Sequence, residues 1–352
     1  MSNDPAQYRI CVEKFTPAEQ QKLESIRGGG HSPQRMQKLQ AAFVSAKLWP
    51  AGSKIRIAFL PTQRVPPWTP ENVLKQNGKP EDPLSDELRG RNLTPQEVVR
   101  RVVRDRIMPL VGLDIEFVEN TGQANVRVAF NDNGAWSYVG TDHLKYKKTD
   151  EPTMNFAWID VGTIIHEFGH MLGMIHEHQN PRGKTIDWDK QAVYAWAKQT
   201  QGWSEKTTEI NIMDRYDINQ LNGSDFDPLS IMLYFFPAKL TLDGEGTQQN
   251  MRLSGYDVLW INKMYRKNAK TTAEAFYPKV YGMTLQEAIE SSDKAKKGGG
   301  GWIFQAIKLP SIGSGVWNTL LVILALVVLA AFLIWLFRRF TSGRSSGRSG
   351  RY

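Results

Sequence analysis

The alternation of apolar and polar positions marks three strands. Lys54–Leu60 (KIRIAFL) alternates with the two-residue period of a half-buried strand, and Asp114–Val118 and Asn125–Phe130 (NVRVAF) read the same way. Between them Thr94-Pro95-Gln96-Glu97 opens a helix: Thr94 and Glu97 form a capping box and Pro95 suits the first helical position, so a helix is predicted to about Met108. Val161–Gly173 is the next helix and Ser254–Tyr265 the last, with an irregular stretch rich in Trp, Asp and Asn between them. Weak helical patterns over Thr16–Ile26 and Pro33–Lys47 flank Gly28-Gly29-Gly30. Residues 61–93, rich in Pro, Asn and Gly, read as a loop. Residues 266–316 read as a linker with a short helical piece near Leu285–Lys296 and the glycine run Gly298–Gly301.

Farther on the pattern vanishes into an unbroken apolar run. Thr319–Phe337 carries no charge, and at roughly 1.5 Å per residue it matches a hydrocarbon core of roughly 30 Å. Trp317 and Trp335 stand near its ends, where interfacial aromatics are favoured, and Arg338-Arg339 stop it. A single membrane span over 317–337 is expected, followed by a basic tail at 338–352. Two rules disagree on its orientation. A late anchor on a chain whose N-terminus lacks a signal-like apolar run suggests insertion by the tail, with the preceding domain in the cytosol. Arg338, Arg339, Arg344, Arg348 and Arg351 follow the span while only Lys297 and Lys308 lie in the twenty residues before it, which puts the tail in the cytosol instead. The cytosolic domain is the reading adopted, because translocating some three hundred residues without a signal is difficult.

Charge adds one distinction. The net charge is +8, yet residues 150–260 carry 16 acidic against 8 basic side chains, and the basic excess is strongest after residue 260. A basic excess concentrated in the tail argues against nucleic acid as a partner. Cys11 is the single cysteine, so an intrachain disulfide and a cysteine metal cluster are both excluded. A zinc-masking thiolate is one conceivable role for Cys11, but nothing in the residues around it supports that reading.

The chemistry concentrates in His166-Glu167-Phe168-Gly169-His170-Met171-Leu172-Gly173-Met174-Ile175-His176. His166 and His170, four apart on a helix, share one face and can bind one zinc ion. Gly173 can take the left-handed conformation that ends the helix and brings His176 back as third ligand. Three protein ligands leave a fourth position open to water, as in catalytic rather than structural zinc sites. Glu167, beside the first ligand, is placed to take a proton from a zinc-activated water. Downstream, Asp227–Tyr234 (DPLSIMLY) offers Met232 as an apolar floor under the imidazoles and Tyr234 as a group able to reach the metal or an oxyanion. The extended His pattern with a downstream Met-turn is the metzincin signature.

On these residues the sequence resembles the astacin family of metzincins. Glu177-His178 follows His176 as in that family, Met232-Leu233-Tyr234 resembles its Met-turn, Asn125–Asp142 resembles its upper-rim strand and following loop, and Pro152–Trp158 the approach to the active-site helix. Two features depart from the family pattern: Leu233 stands where a His is frequent, and no Phe-x-Gly-Asp pro-segment is seen. The resemblance implies an α+β zincin fold, a twisted mixed sheet with two long helices above the cleft and an irregular lower half. It further implies zinc-dependent endopeptidase activity, with Tyr234 as a displaceable ligand that stabilises the tetrahedral intermediate and Glu177 as a structural residue beneath the site. The expected organisation is an N-terminal helical segment over 1–48, the peptidase domain over 49–265, and then the linker, span and tail. An extended peptide is expected to pair with the rim strand, so the partners expected are a protein or peptide substrate and membrane lipid.

An inactive zincin serving as a binding scaffold is the alternative, separable by turnover of casein. A different zinc hydrolase, such as an amidase or aminopeptidase, is a third reading. His178 reads as a local hydrogen-bonding residue, His143 and His31 as solvated, and Trp188, Trp196 and Trp203 as packing residues of the lower half.

Overall fold

A computed structural model of the chain describes residues 11–14, 47–61, 81–132, 134–180, 186–214, 225–247, 250–266 and 272–297. Among the described residues the first elements are strand β1 (Val12–Lys14), β2 (Lys54–Phe59), α1 (Leu84–Leu88) and α2 (Pro95–Val102). Strands β3 (Asp114–Phe117), β4 (Val126–Ala129), β5 (Trp136–Tyr138) and β6 (Met154–Asn155) follow. The remaining helices are α3 (Val161–Met171), α4 (Lys190–Gln201), α5 (Glu205–Thr208), α6 (Gly255–Met264), α7 (Ala273–Tyr281) and α8 (Leu285–Lys297).

The six strands form one mixed sheet in the order β1-β5-β6-β4-β2-β3. Only β5 and β6 pair antiparallel; the other pairs are parallel. The parallel β2–β3 pair needs a crossover, and α2 supplies it. The α2 capping box forms as its sequence predicts, and a π-turn at Val103–Ile107 and a 3-10 turn at Met108–Leu110 prolong the helix. Ile55 and Ile57 of β2 and Val126 and Val128 of β4 join Val98, Val99 and Val102 of α2 and Ile164, Ile165 and Phe168 of α3 in one core. A second apolar cluster lies in the lower half, where Val193, Trp196 and Ala197 of α4 meet Tyr234, Phe236 and Leu240. Trp188 and Trp203 pack against it, as expected of lower-half tryptophans.

Several expectations need correction. Asn125–Phe130 is not the rim: β4 lies inside the sheet between β6 and β2, and β5 with β1 beyond it forms that border. The stretch expected to be irregular contains α4, which Asp189 caps by accepting from the Ala192 N–H at 3.1 Å and Gly202 ends. The expected loop contains α1, whose Leu84 and Leu88 are buried. Residues 272–297 are not a linker, because Ala273, Phe276, Tyr277, Leu285 and Ala288 belong to the main core. Gly255 allows α6 that contact, since a Cβ there would stand 2.7 Å from the backbone nitrogen of Ile289. Within the segment expected to be helical, Cys11–Lys14 runs as extended chain and strand paired to β5. The helical patterns at 16–26 and 33–46, His31, the Gly298–Gly301 run and the span and tail lie outside the described residues. Among the described residues no helix is long and apolar enough to cross a membrane.

Candidate metal centre

Helix α3 carries the first two histidines at the bottom of the upper core. Asp160 starts it, accepting from the backbone N–H and the hydroxyl of Thr163, both at 2.7 Å. Its C-terminal carbonyls lack helical partners, and distant side chains supply them. The indole Nε1 of Trp49 donates to the Met171 carbonyl at 2.8 Å, and the hydroxyl of Tyr265 to the Leu172 carbonyl at 2.6 Å. Gly173 then adopts φ +92°, a conformation strained for any other residue, and the chain turns so that His176 faces back toward His170.

The three imidazoles converge. Ring centroids of His170 and His176 lie 4.5 Å apart, and that of His166 is 4.9 Å from His170 and 5.4 Å from His176. One nitrogen of each lies within 4.8 Å of the others, so the trio can hold a single metal ion. The outer hydrogen bonds fix which nitrogen is free. His166 Nδ1 donates to the Ile231 carbonyl and His170 Nδ1 to the Met174 carbonyl, each at 2.9 Å, because a carbonyl only accepts. That leaves the Nε2 lone pairs facing inward, the arrangement a metal-binding histidine requires. His166 Nε2 is buried with no hydrogen-bond partner, and Nε2 of His170 and of His176 face each other at 2.9 Å. Burial depresses all three imidazoles, His166 to about 4 and the others well below their ordinary value, so each is neutral and available at pH 7. The donor set fits zinc.

Glu167 is fully buried next to this cluster, and its two oxygens accept no hydrogen bond. Burial pushes its carboxyl up to about 8, partly offset by the Cys11 thiol. Met232 lies under α3: a Cβ on Gly169 would stand 2.7 Å from the Met232 sulfur, so glycine there makes room for the thioether. Tyr234 stacks near the imidazoles, its ring centroid 4.1 Å from that of His176, and its hydroxyl meets His176 Nε2. Glu177 holds the turn, donating its N–H to the Met232 carbonyl at 2.9 Å and accepting at Oε1 from Asn180 at 2.9 Å and the Asp227 N–H at 2.8 Å. His178 has the local role expected of it, bonding the Asn211 carbonyl at 3.1 Å. His143 is not solvated: it is fully buried behind β5, with Nε2 3.3 Å from the Ser137 hydroxyl.

Cys11 is the residue least foreseeable from sequence. It is buried in the lower apolar cluster with Tyr234, and its sulfur lies within 4.8 Å of a nitrogen of His166 and an oxygen of Glu167. Its carbonyl accepts the hydroxyl hydrogen of Tyr234. The expectation that nothing ties Cys11 to the metal site is therefore overturned: pairing of β1 with β5 delivers it there.

The family profile described as Astacin, a peptidase family, matches residues 114–266. Meprin A subunit beta of Mus musculus is 28% identical over 166 residues, 43% of this chain. The chain spans only 21% of the length of that curated relative. The solved structure of myroilysin is 31% identical with a TM-score of 0.51, over 64% of this chain and 98% of its own. These likenesses cover the mixed α+β body that carries the three histidines.

Proposed function

The chain belongs to the astacin family of peptidases, and from that premise we propose that it is a zinc-dependent endopeptidase acting on proteins or peptides. The observation that carries the reading is the convergence of His166, His170 and His176 next to a buried carboxyl group, Glu167. When bound, zinc supplies the Lewis acidity that acidifies a water molecule and polarises a peptide carbonyl. Glu167 takes the proton from water and returns it to the departing amine. Tyr234 donates its phenolic hydrogen to the carbonyl oxygen as negative charge develops there. Met232 keeps the floor beneath the ligands apolar, Gly173 sets the turn to His176, and Glu177 ties the two strands of chain beneath the site. An extended substrate pairs along β5 in the place that β1 takes in this structure, its backbone groups supplying affinity with little dependence on side chains.

Digestion of casein, with products sequenced by mass spectrometry, tests the reading. Internal fragments are expected, and Glu167→Gln should keep its zinc while turnover falls by about 10²–10⁴-fold. Equal turnover by the variant, or release of terminal residues alone, would overturn the assignment.

We further propose that the span at Thr319–Phe337 tethers the enzyme, its uncharged length being the support, with the peptidase body on the cytosolic side. Carbonate extraction should leave the full-length chain in membranes and release one ended at Gly315. Added protease should reach the body in cytosol-side-out vesicles. Release of the full-length chain would remove the anchor, and protection of the body would reverse the orientation.

A further inference from the structure

We infer that residues 47–49 are a positioning strap for the reaction. Trp49 sets the turn that carries His176 to the metal, and Lys47 sets the strand that takes the substrate. The inference rests on the metallopeptidase reading above. At the first end, buried Trp49 governs two neighbouring carbonyls. Its indole donates to the Met171 carbonyl at 2.8 Å. Its backbone N–H donates at 3.4 Å to the Tyr265 hydroxyl, which donates on to the Leu172 carbonyl at 2.6 Å. Met171 and Leu172 end α3 between His170 and Gly173. Beyond Gly173 the Met174 carbonyl takes the Nδ1 hydrogen of His170 at 2.9 Å. One residue outside the helix thus holds the turn between the second and third ligands. Leu48 packs over that turn, since a Cβ on Gly173 would stand 3.1 Å from its Cδ2.

The other end grips the border of the sheet. β5 pairs with β6 through only two residue pairs, Trp136 with Asn155 and Ser137 with Met154, so that ladder alone holds it weakly. The turn at residues 140–142 follows β5, and Lys47 holds it twice. The Lys47 carbonyl accepts the Thr141 N–H at 2.8 Å, and its ammonium pairs with Asp142 at 2.7 Å, both side chains buried. The approach is so close that a Cβ on Gly140, at φ +53°, would collide with the Lys47 carbonyl oxygen. A buried ion pair adds little over apolar packing yet fails sharply when one partner is removed. That suits a residue whose work is to fix a position. Three consecutive residues therefore keep the metal turn and the substrate border in one relative place. Attack on a peptide bond pinned along β5 needs that register, because a misplacement of about 1 Å is costly to the rate.

Zinc affinity by chelator competition and casein kinetics at saturating zinc, measured on the full-length chain, test the strap together. Trp49→Phe keeps an aromatic ring but loses the indole donor. Its zinc dissociation constant should rise by about tenfold while KM stays near the parent's. Lys47→Met should do the reverse, raising KM for casein by about tenfold, the worth of about one backbone hydrogen bond, with zinc affinity unchanged. Lys47→Arg keeps a charge beside Asp142 and should return KM most of the way. Leu88→Ala opens a cavity at a buried position of α1 and supplies the comparison for plain loss of stability. Its thermal midpoint should fall while zinc affinity and KM hold. If Trp49→Phe and Lys47→Met behave like Leu88→Ala, the strap is overturned and the metallopeptidase reading stands. If each of the two shifts zinc affinity and KM alike, the division between its ends is refuted. A parent with neither zinc nor turnover would overturn both.

Discussion

Asp257 accepts the backbone N–H of Ile231 at 2.8 Å, and the carbonyl of the same Ile231 accepts the Nδ1 hydrogen of His166 at 2.9 Å. The capping residue pair of α6 is thereby joined to the first metal ligand through a single residue of the Met-turn. Asp257 also accepts from the Ser230 hydroxyl at 2.7 Å and the Ser254 N–H at 2.9 Å. Asp257→Ala strands all three donors in the interior, which should lower stability by about 2–4 kcal/mol in urea unfolding. Loosening the Ile231 carbonyl should also weaken zinc about 10–100-fold in chelator competition. Unchanged zinc affinity would show that the Met-turn needs no such brace.

Tyr234→Phe removes a hydroxyl and little volume. In the zinc-loaded enzyme kcat should fall by about a hundredfold while KM changes little, because the phenol acts on charge present only in the transition state. A change confined to KM would assign the tyrosine to substrate binding.

Burial of His143 sets a direction for pH. Its imidazole is depressed to about 3, chiefly by desolvation, whereas an unfolded histidine titrates near 6.5. The unfolded state therefore binds the extra proton first. The stability contributed is complete above about pH 6.5 and is lost as pH falls toward 3, at about 1.4 kcal/mol per pH unit. Urea midpoints measured at pH 7.5, 6 and 5 should fall less steeply in His143→Gln than in the parent. Parallel slopes would show that His143 titrates alike in both states.

The α7–α8 pair should prove part of the folded body. Besides its buried apolar residues, the Tyr281 hydroxyl reaches Asp82 at 2.9 Å, itself paired with buried Arg106. A chain ended after Arg266 should show a thermal midpoint more than about 10 °C below one ended after Lys297, because several large side chains lose their core contacts. Equal midpoints would make α7–α8 an appendage.

What sequence reveals and what it hides divide along sequence separation. The histidine ligands and Gly173 sit in one short run whose spacing alone brings them together, and Thr94 with Glu97 is a local capping box; Met232 is legible only as part of a turn motif far downstream, and its place under Gly169 comes from tertiary packing. The α6 capping box at Ser254 and Asp257 is equally local and readable, yet its grip on Ile231 is not. Trp49, Tyr265 and Cys11 reach the site only through tertiary packing, so no spacing rule finds them. Sequence misplaces the border strand because the three residues of β5 are too few to show an alternation, and only pairing partners tell an interior strand from an outer one. Helices α7 and α8 read as linker although Ala273, Phe276, Tyr277, Leu285 and Ala288 are buried in the main core, because their contacts are with segments distant in sequence.

Zinc content of the purified full-length chain, compared with that of His170→Ala, tests the central claim most directly. One zinc per chain is expected in the parent and a small fraction of that in the variant, which loses a ligand from a three-histidine site. Full zinc occupancy in the variant, or none in the parent, would contradict the account.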